Sequence, residues 1–380
     1  MPDLLAELRA AFPVRERWLY FNHAAVSPLS VPVAEAMQAF QRDALENGSV
    51  RFQAWLDRRE SARRQGARLL GADPSEVAFT TSTSQGLLTV AEGLRMEAGD
   101  EILVIQDDFP ANQIPWFRQE RRGARVVVVP RHEGRVRLQD ILDRVGPRTR
   151  VVAVPWVFYD SGQRLDLVAL GAELADQRAL FCVDAIQGLG GFPLDVEAAR
   201  IDFLSADSHK WMLGLEGVGL FYCRREHLDA LDDPFQSWLS VVDPFGPYDP
   251  GKARVPDARR FEFASLPTVA LFGMQACLEL LLRTGAPLMA ERILEVTDHL
   301  AAGLERCGWR VTSPREHADE KSGIVQGIQP SGSLDETVAA LEARGVSVAQ
   351  RGGGVRFSPH AWNTVAEVDQ LLERLDGLVA

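Results

Sequence analysis

A lysine, an acid and a run of hydroxyl residues each follow an apolar run of the sequence, and these residue types can act together on one ligand. Lys210 follows "FLSADSH", Asp184 ends "LFCVD", and five hydroxyl residues from Thr80 to Ser84 follow "VAF". A partly desolvated lysine has a lowered pKa, and its neutral amine attacks carbonyl carbons. Lys210 therefore predicts Schiff-base chemistry, although a lone lysine in a loop is most often a plain surface charge.

The acid and the hydroxyl run indicate what that ligand would be. A carboxylate at a buried strand end needs a cationic partner, and a protonated pyridine nitrogen supplies one, as in pyridoxal phosphate sites. Gln187, three residues after Asp184, is placed to hydrogen-bond a ring hydroxyl. The alternative is an aspartate that caps the following turn. The amides at a helix N-terminus bind phosphate, which makes Thr83 and Ser84 candidate donors, although Ser and Thr are also ordinary helix caps.

Alternating strand and helix patterns must position these residues. Seven short apolar runs predict strands at 77–80, 101–106, 124–130, 150–157, 179–185, 202–207 and 217–223. Near-continuous runs of Val, Ile and Phe are typical of strands covered on both faces in a parallel sheet. A doubly wound α/β layer follows, and its ligand crevice lies at the carboxyl ends of the strands, where the three candidates meet.

A second unit follows the sheet in the sequence. Residues 232–258 are rich in Pro, Gly and aromatics and predict a long ordered loop, and residues 267–285 predict a long helix. Helix and strand patterns then alternate to the end of the chain. They include a strand over "VSVAQRGGGVRFS", in which "QRGGG" is either a flexible run that lets the backbone approach a substrate or a plain hairpin turn. We expect a large ligand-binding domain over residues 16–284 and a small α/β domain over residues 285–380, with about the first 15 residues packed against it.

Composition excludes several classes of protein. The 380 residues carry a net charge of −12 with no basic block, which argues against nucleic acid as a partner. The four cysteines form no CxxC pair and predict reduced thiols. No segment reaches about 18 consecutive apolar residues, so no membrane span is expected. We expect a cytoplasmic protein.

Six segments, in order, resemble the class V aminotransferase family of fold-type I pyridoxal-phosphate enzymes, which includes cysteine desulfurases, kynureninases and isopenicillin-epimerase-like proteins. They are "YFNHAAVSPLS", "TSTSQG", "VDAIQGLG", "SADSHKW", "RRFEFAS" and "VRFSPHAWNTVAEVD". The resemblance covers nearly the whole chain. It implies a large domain with a mostly parallel seven-stranded sheet between helices, a smaller C-terminal α/β domain, and a homodimer with the cofactor site at its interface.

The resemblance also implies roles for the matched positions. Lys210 would form the internal aldimine with pyridoxal 5'-phosphate. The other residues that would bind the cofactor are Asp184 and Gln187 at the ring, and Thr83, Ser84, His209 and, from the dimer partner, Ser265 at the phosphate. Arg356 would clamp the substrate α-carboxylate. For His209 the alternative is plain packing, for Ser265 no role, and for Arg356 a surface charge.

Three departures from the desulfurase pattern qualify these roles. Phe109 stands where desulfurases stack a histidine on the ring, and it is either an aromatic cover for the cofactor or core. Asp207 stands where desulfurases have a serine, and a carboxylate there would repel phosphate, so either Asp207 points elsewhere or Ser208 takes the phosphate contact; Asp207 is placed outside the site. No cysteine lies in the stretch before Arg356, where desulfurases carry their nucleophile, so the chain is not predicted to be a desulfurase proper.

The leading hypothesis is an aminotransferase acting on an amino-acid-like substrate. A lyase that performs β-elimination or cleaves a C–S or C–C bond uses the same site, and the sequence does not separate the two. A non-catalytic binding module is a third alternative, against which the intact Lys210 and Asp184 argue. The substrate side chain is not readable, although Trp156, Tyr159 and His23 are candidates for the pocket wall.

Overall fold

A seven-stranded sheet forms the centre of the computed structural model, which describes residues 3–247 and 249–375. Its strands are β2 (Val77–Thr80), β3 (Glu101–Ile105), β4 (Arg125–Val129), β5 (Thr149–Pro155), β6 (Leu180–Asp184), β7 (Phe203–Asp207) and β8 (Gly219–Cys223). The strand order is β2-β8-β7-β6-β5-β3-β4, and only β8 runs antiparallel to its neighbours. The predicted mostly parallel α/β sheet is confirmed.

Helices cover both faces of this sheet, as the apolar strand runs predict. Alternate residues of a strand face two different clusters: Leu103 and Ile105 of β3 lie in one, Ile102 and Val104 in the other. The helices up to residue 284 are α1 (Leu4–Ala10), α2 (Val31–Asn47), α3 (Phe52–Leu70), α4 (Thr83–Gly93), α5 (Ile114–Arg118), α6 (Leu138–Leu142), α7 (Leu167–Leu174) and α8 (Thr268–Thr284). Helices α2, α3 and α8 pack on the first face, and α4 packs on the second.

A second sheet has its own core. Strands β12 (Ala349–Arg351), β13 (Gly354–Phe357), β10 (Val325–Ile328) and β9 (Arg310–Val311) form an antiparallel sheet in that order. Helices α9 (Ala286–Arg306), α10 (Leu334–Ala343) and α11 (Val365–Leu375) accompany it, and β1 (Leu19–Tyr20) pairs in parallel with β11 (Val346–Ser347). This separate core supports the proposed domain boundary near residue 285.

One predicted strand proves to be three. The predicted strand "VSVAQRGGGVRFS" divides into β11, β12 and β13, and its "QRGGG" forms the hairpin turn between the last two, which was one of the two alternatives for that run. Gly352 and Gly353 have φ angles of +55° and +79°, which favour glycine and allow the chain to reverse there. The hairpin brings Arg356 back beside β12.

The segment before β1 contacts both units. Phe12 stacks on Trp362 with ring centroids 5.2 Å apart, and Arg9 pairs with Glu367 at 2.9 Å. Cys182, Cys223 and Cys277 are buried free thiols, and Cys307 is half-buried. Among the described helices none is by itself long and apolar enough to cross a membrane, and α8 and α9 reach that length only as a pair bent by 81°.

Candidate functional site

Lys210 lies in the short loop that joins β7 to β8 at the edge where the parallel strands end. The residue is only 9% exposed, yet its Nζ donates no hydrogen bond to any of the described residues. The Nζ lies 5.6 Å from the centroid of the Phe109 ring. Burial lowers the pKa of Lys210 to about 8, although attraction to Asp184 opposes that shift. The amine is therefore partly neutral near physiological pH, as its predicted chemistry requires.

Asp184 ends β6, the strand next to β7, and its side chain is almost completely buried. The amide of Ile186 donates to its Oδ1 at 3.0 Å, and this is its one hydrogen bond from the described residues. Burial raises the pKa of Asp184 to about 6. A buried carboxyl with so little compensation fits a site for a cationic group.

Asp108 is a second buried carboxyl near Asp184. Burial, and next repulsion from Asp184, raise its pKa to about 8. Its Oδ1 accepts the amide of Phe109 at 2.7 Å, and its Oδ2 accepts Nδ2 of Asn112 at 2.9 Å. Nε1 of Trp116 in turn donates to Asn112 at 3.1 Å. This chain of hydrogen bonds fixes the turn that carries Phe109.

The hydroxyl run forms the start of α4. Ser82 is the N-cap and accepts the amide of Gln85 at 3.1 Å, so the amides of Thr83 and Ser84 have no acceptor within the helix. Oγ1 of Thr83 accepts the amide of Asp207 at 2.9 Å and so ties this helix start to the end of β7. A Cβ on Gly86 would lie 2.2 Å from Oγ of Ser205, so only glycine permits this approach.

The residues beside Lys210 differ in what their side chains already bind. The hydroxyl of Ser208 donates to the carbonyl of Leu215 at 2.8 Å and accepts that residue's amide at 3.2 Å, which closes the lysine loop. Nδ1 of His209 lies 3.2 Å from Oδ2 of Asp207 but without hydrogen-bond geometry. Ser208 thus serves the loop, whereas the ring of His209 remains available to a ligand.

Gln187 is partly committed to the protein. Its Nε2 donates to the carbonyl of Ala24 at 2.9 Å, and its Oε1 accepts Nε1 of Trp211 at 2.9 Å. One hydrogen of Nε2 remains for a ligand. His23 is completely buried, with Nδ1 3.1 Å from the carbonyl of Ser358 and Nε2 accepting from Trp362 at 3.0 Å, so it belongs to the core.

Arg356 lies on β13 and is 2% exposed. Its Nη1 donates to the carbonyl of Tyr159 at 2.7 Å, whereas its Nε and Nη2 are buried and find no hydrogen-bond partner in the part of the chain that the structure describes. Burial, and next the charge of Arg351, lower the pKa of Arg356 to about 9. Two free donors on one rigid fork match a carboxylate. The ring of Phe109, which is 41% exposed, meets Tyr159 edge-on at 5.3 Å, so Phe109 is not core.

Ser265 is exposed, and the structure does not join it to the Lys210 cluster. Its φ angle of +61° sets it in a strained turn after the buried residue Glu262. Glu262 pairs with Arg63 at 2.5 Å and accepts the amide of Phe79 at 3.0 Å, which anchors this segment to β2. The role of Ser265 across a dimer interface stays a prediction.

The sequence reasoning missed two charged residues of this region, Asp108 and Arg351. Asp108 follows β3 at the same edge of the sheet as the recognised candidates, so its position carried a usable signal. Arg351 is near the site because β12 pairs with β13, and the sequence did not decide between a hairpin turn and a flexible run there.

Comparison with known proteins places this geometry in context. The family model described as "Aminotransferase class-V" matches residues 19–371. The "Uncharacterized aminotransferase YcbU" of Bacillus subtilis is 28% identical over 99% of this chain and 98% of its own length. A "Probable cysteine desulfurase" of Methanothermobacter thermautotrophicus is also 28% identical, over 97% of both chains.

Two solved structures show the same fold. A cysteine desulfurase from Thermococcus onnurineus superposes with a TM-score of 0.90 at 24% identity, covering 98% of each chain. A cystine C-S lyase superposes with a TM-score of 0.88 at 23% identity, covering 96% of this chain and 99% of the other.

Proposed function

The chain belongs to the aminotransferase class-V family and is thus a pyridoxal-phosphate-dependent enzyme; we propose that it transfers the amino group of an amino-acid-like substrate, with Lys210 as its catalytic residue. One observation carries the proposal. The chain has only three lysines, and Lys252 and Lys321 each lie in an ion pair, with Asp243 and Asp298 respectively. Of the three lysines, Lys210 is the one that is buried and has no hydrogen-bond partner among the described residues, so its amine is available to react.

The unpaired groups fit pyridoxal phosphate. The buried carboxylate of Asp184 suits a protonated ring nitrogen, because a cation there would offset its desolvation. The free amides at the start of α4 suit the phosphate. We propose that the cofactor is held by these residues: Thr83, Ser84 and His209 at the phosphate, Asp184 and the remaining N–H of Gln187 at the ring, Phe109 against its face, and Ser265 from a dimer partner. Ser208 would contribute by closing the loop.

When bound, pyridoxal phosphate supplies an electron sink for negative charge on the α carbon of an amino acid. The protein's own part is to orient the substrate and move its proton. Arg356 binds the α-carboxylate with its free Nε and Nη2, and this fixes the α carbon relative to Lys210. Because its pKa is about 8, Nζ of Lys210 accepts and returns a proton near neutral pH. The Phe109 ring, 5.6 Å from Nζ of Lys210, is supported edge-on by Tyr159.

A lyase is the second candidate, because several curated relatives are named as cysteine desulfurases. The cysteines do not favour sulfur transfer through a protein persulfide. Cys182, Cys223 and Cys277 are buried, and burial raises the pKa of all three thiols. Cys307 follows α9, and the hairpin before Arg356 contains no thiol. A lyase here would act on the substrate directly.

A single-turnover experiment separates the two candidates. The cofactor-loaded protein is mixed with an excess of one amino acid at a time, with no keto acid present. Aminotransfer converts the cofactor stoichiometrically to its amine form, with permanent loss of the visible absorbance and release of one keto acid per site. Recovery of the visible absorbance with continued release of pyruvate or ammonia contradicts aminotransfer and supports the lyase. Arg356→Met, which keeps the apolar stem, is the matched control for carboxylate-dependent turnover.

A further inference from the structure

We propose that the substrate carries a second carboxylate on its side chain, and that Arg351 binds it while Arg356 binds the α-carboxylate. The inference rests on the proposed function, because it assigns a substrate class to the same site. An acidic amino acid, or a keto acid with two carboxylates, is the class that this arrangement would take.

The register of the hairpin places the two arginines on one face of the sheet. Arg356 is the partner of Ala349 across the β12–β13 pair, and Arg351 is the partner of Gly354. Because side chains alternate along a strand, Arg351 lies on the same face as Ala349 and hence as Arg356. The two arginines are diagonal neighbours, about 7–8 Å apart at the backbone. Gly354 leaves room for the side chain of Gln326, because a Cβ at that position would lie 3.1 Å from Cγ of Gln326.

The backbone of Arg351 is held in place. Gln326, the partner of Arg356 on β10, reaches across β13 and donates from its Nε2 to the carbonyl of Arg351 at 2.7 Å. A Cβ on Gly352 would lie 2.5 Å from that Nε2 and 3.0 Å from Cβ of Asp160. The hairpin tip therefore packs on residue 160, next to the carbonyl of Tyr159 that Arg356 contacts.

Positive charge exceeds negative charge at this rim. The negative charge of Asp160 is already paired with Arg131, which donates to the two carboxylate oxygens of Asp160 at 2.9 and 3.2 Å. Arg131 also donates to the hydroxyl of Ser161 at 3.0 Å. Arg351 is exposed, and its side chain donates only to the carbonyl of Gln350, at 2.7 Å, among the described residues. Burial is the main cause of the lowered pKa of Lys210 and of Arg356, and the charge of Arg351 adds to both shifts, as expected of a cation near the pocket.

Two separate carboxylates fit the two guanidinium groups better than one does. The fork of Arg356 has two free donors and can satisfy both oxygens of one carboxylate alone. Arg351 is the diagonal neighbour of Arg356 across the β12–β13 pair, and it lies on the exposed part of the hairpin, whereas Arg356 is buried. A substrate whose side chain spans the distance between the two arginines can pair one carboxylate with each of them.

Calorimetry on the cofactor-loaded protein tests this with acids that have no amino group and so do not react. The probes are glutarate and pentanoate, which share five carbons and differ by one carboxylate. We expect glutarate to bind roughly tenfold more tightly, the ordinary size for one charge-assisted pair. Arg351→Gln should bring the affinity ratio within about twofold of one. Arg351→Glu should reverse the preference by repulsion.

Arg310→Gln is the matched control, since it removes the same charge from an exposed position on β9 of the same sheet and should keep the wild-type ratio. Equal binding of the two acids by the wild type overturns the inference. So does an Arg351→Gln protein that loses affinity for both acids by the same factor. The proposed function fails separately: in the single-turnover experiment the visible absorbance would recover with continued release of pyruvate or ammonia, whatever the affinity ratio of the two acids.

Discussion

Replacing Arg356 by methionine should make the substrate-free protein more stable while it abolishes carboxylate binding. Arg356 is buried, and the described residues offer no hydrogen-bond partner to its Nε and Nη2. Methionine keeps an apolar stem of similar reach and carries no charge that needs solvation. A residue that destabilises the free protein is expected where a site is built to be completed by its ligand.

The magnitude follows from the pKa. Burial lowers the pKa of Arg356 from 12.5 to about 9, which corresponds to roughly 4–5 kcal/mol against its charged form. The substitution also removes the hydrogen bond to the Tyr159 carbonyl and some side-chain packing, and these losses offset about 2 kcal/mol of the expected stabilisation. We expect Arg356→Met to raise the free energy of unfolding by about 2 kcal/mol.

Arg63→Met is the matched control, because Arg63 is equally buried but paired. It contacts Glu262 at 2.5 Å, Glu60 at 3.0 Å and the carbonyl of Val77 at 2.8 Å. Although burial lowers the pKa of Arg63, attraction to Glu262 and Glu60 raises it overall. Removing Arg63 leaves Glu262 buried and unpaired, so the free energy of unfolding should fall by about 3–5 kcal/mol.

Urea denaturation of the cofactor-free proteins, in a buffer without carboxylates, measures both changes. The same substitution at two equally buried arginines is thus expected to act with opposite signs. If Arg356→Met destabilises the protein as much as Arg63→Met does, Arg356 is a structural residue and its assignment to the α-carboxylate is refuted.

Two further predictions concern the ring site and the core. Asp184→Asn should weaken pyridoxal phosphate binding at least about tenfold in an absorbance titration, because a neutral amide does not attract a cationic ring nitrogen. The control is Asp176→Asn at an exposed position, and equal affinities of the two variants would contradict the role of Asp184. Burial lowers the pKa of His360 to about 4, so its contribution to stability is complete above pH 6.5 and is lost as the pH falls towards 4, by up to about 3 kcal/mol. His360→Phe should reduce the pH dependence of the free energy of unfolding, measured with urea between pH 7.5 and 5. An unchanged pH dependence would contradict this prediction, and so would an equal effect of His299→Phe, which changes a partly exposed histidine.

The sequence was sufficient for the sheet and for the meeting of its strand ends. Parallel strands place their carboxyl ends at one edge, so Thr83, Asp184 and Lys210 could be brought together from their positions alone. The antiparallel direction of β8 was not predicted, and that reversal is what puts the lysine in a tight loop instead of a crossover.

The sequence was less informative where contacts within the site decide a side chain's role. The hydroxyl of Ser208 is consumed by its own loop, and Gln187 is shared with Trp211 and Ala24. Neither fact has a local signature, because the partners are set by the fold. Arg351 was missed for a different reason: the three glycines left a flexible run and a hairpin turn as alternatives, and only the strand pairing shows that Arg351 lies beside Arg356.

Covalent trapping of the cofactor tests the central claim most directly. The protein is loaded with pyridoxal phosphate, reduced with borohydride and digested with trypsin, and the modified peptide is identified by mass spectrometry. The account predicts that the label lies on the peptide 201–224 at Lys210, that Lys252 and Lys321 serve as internal controls without label, and that Lys210→Ala retains none. Label on either other lysine, or none on the wild type, would contradict it.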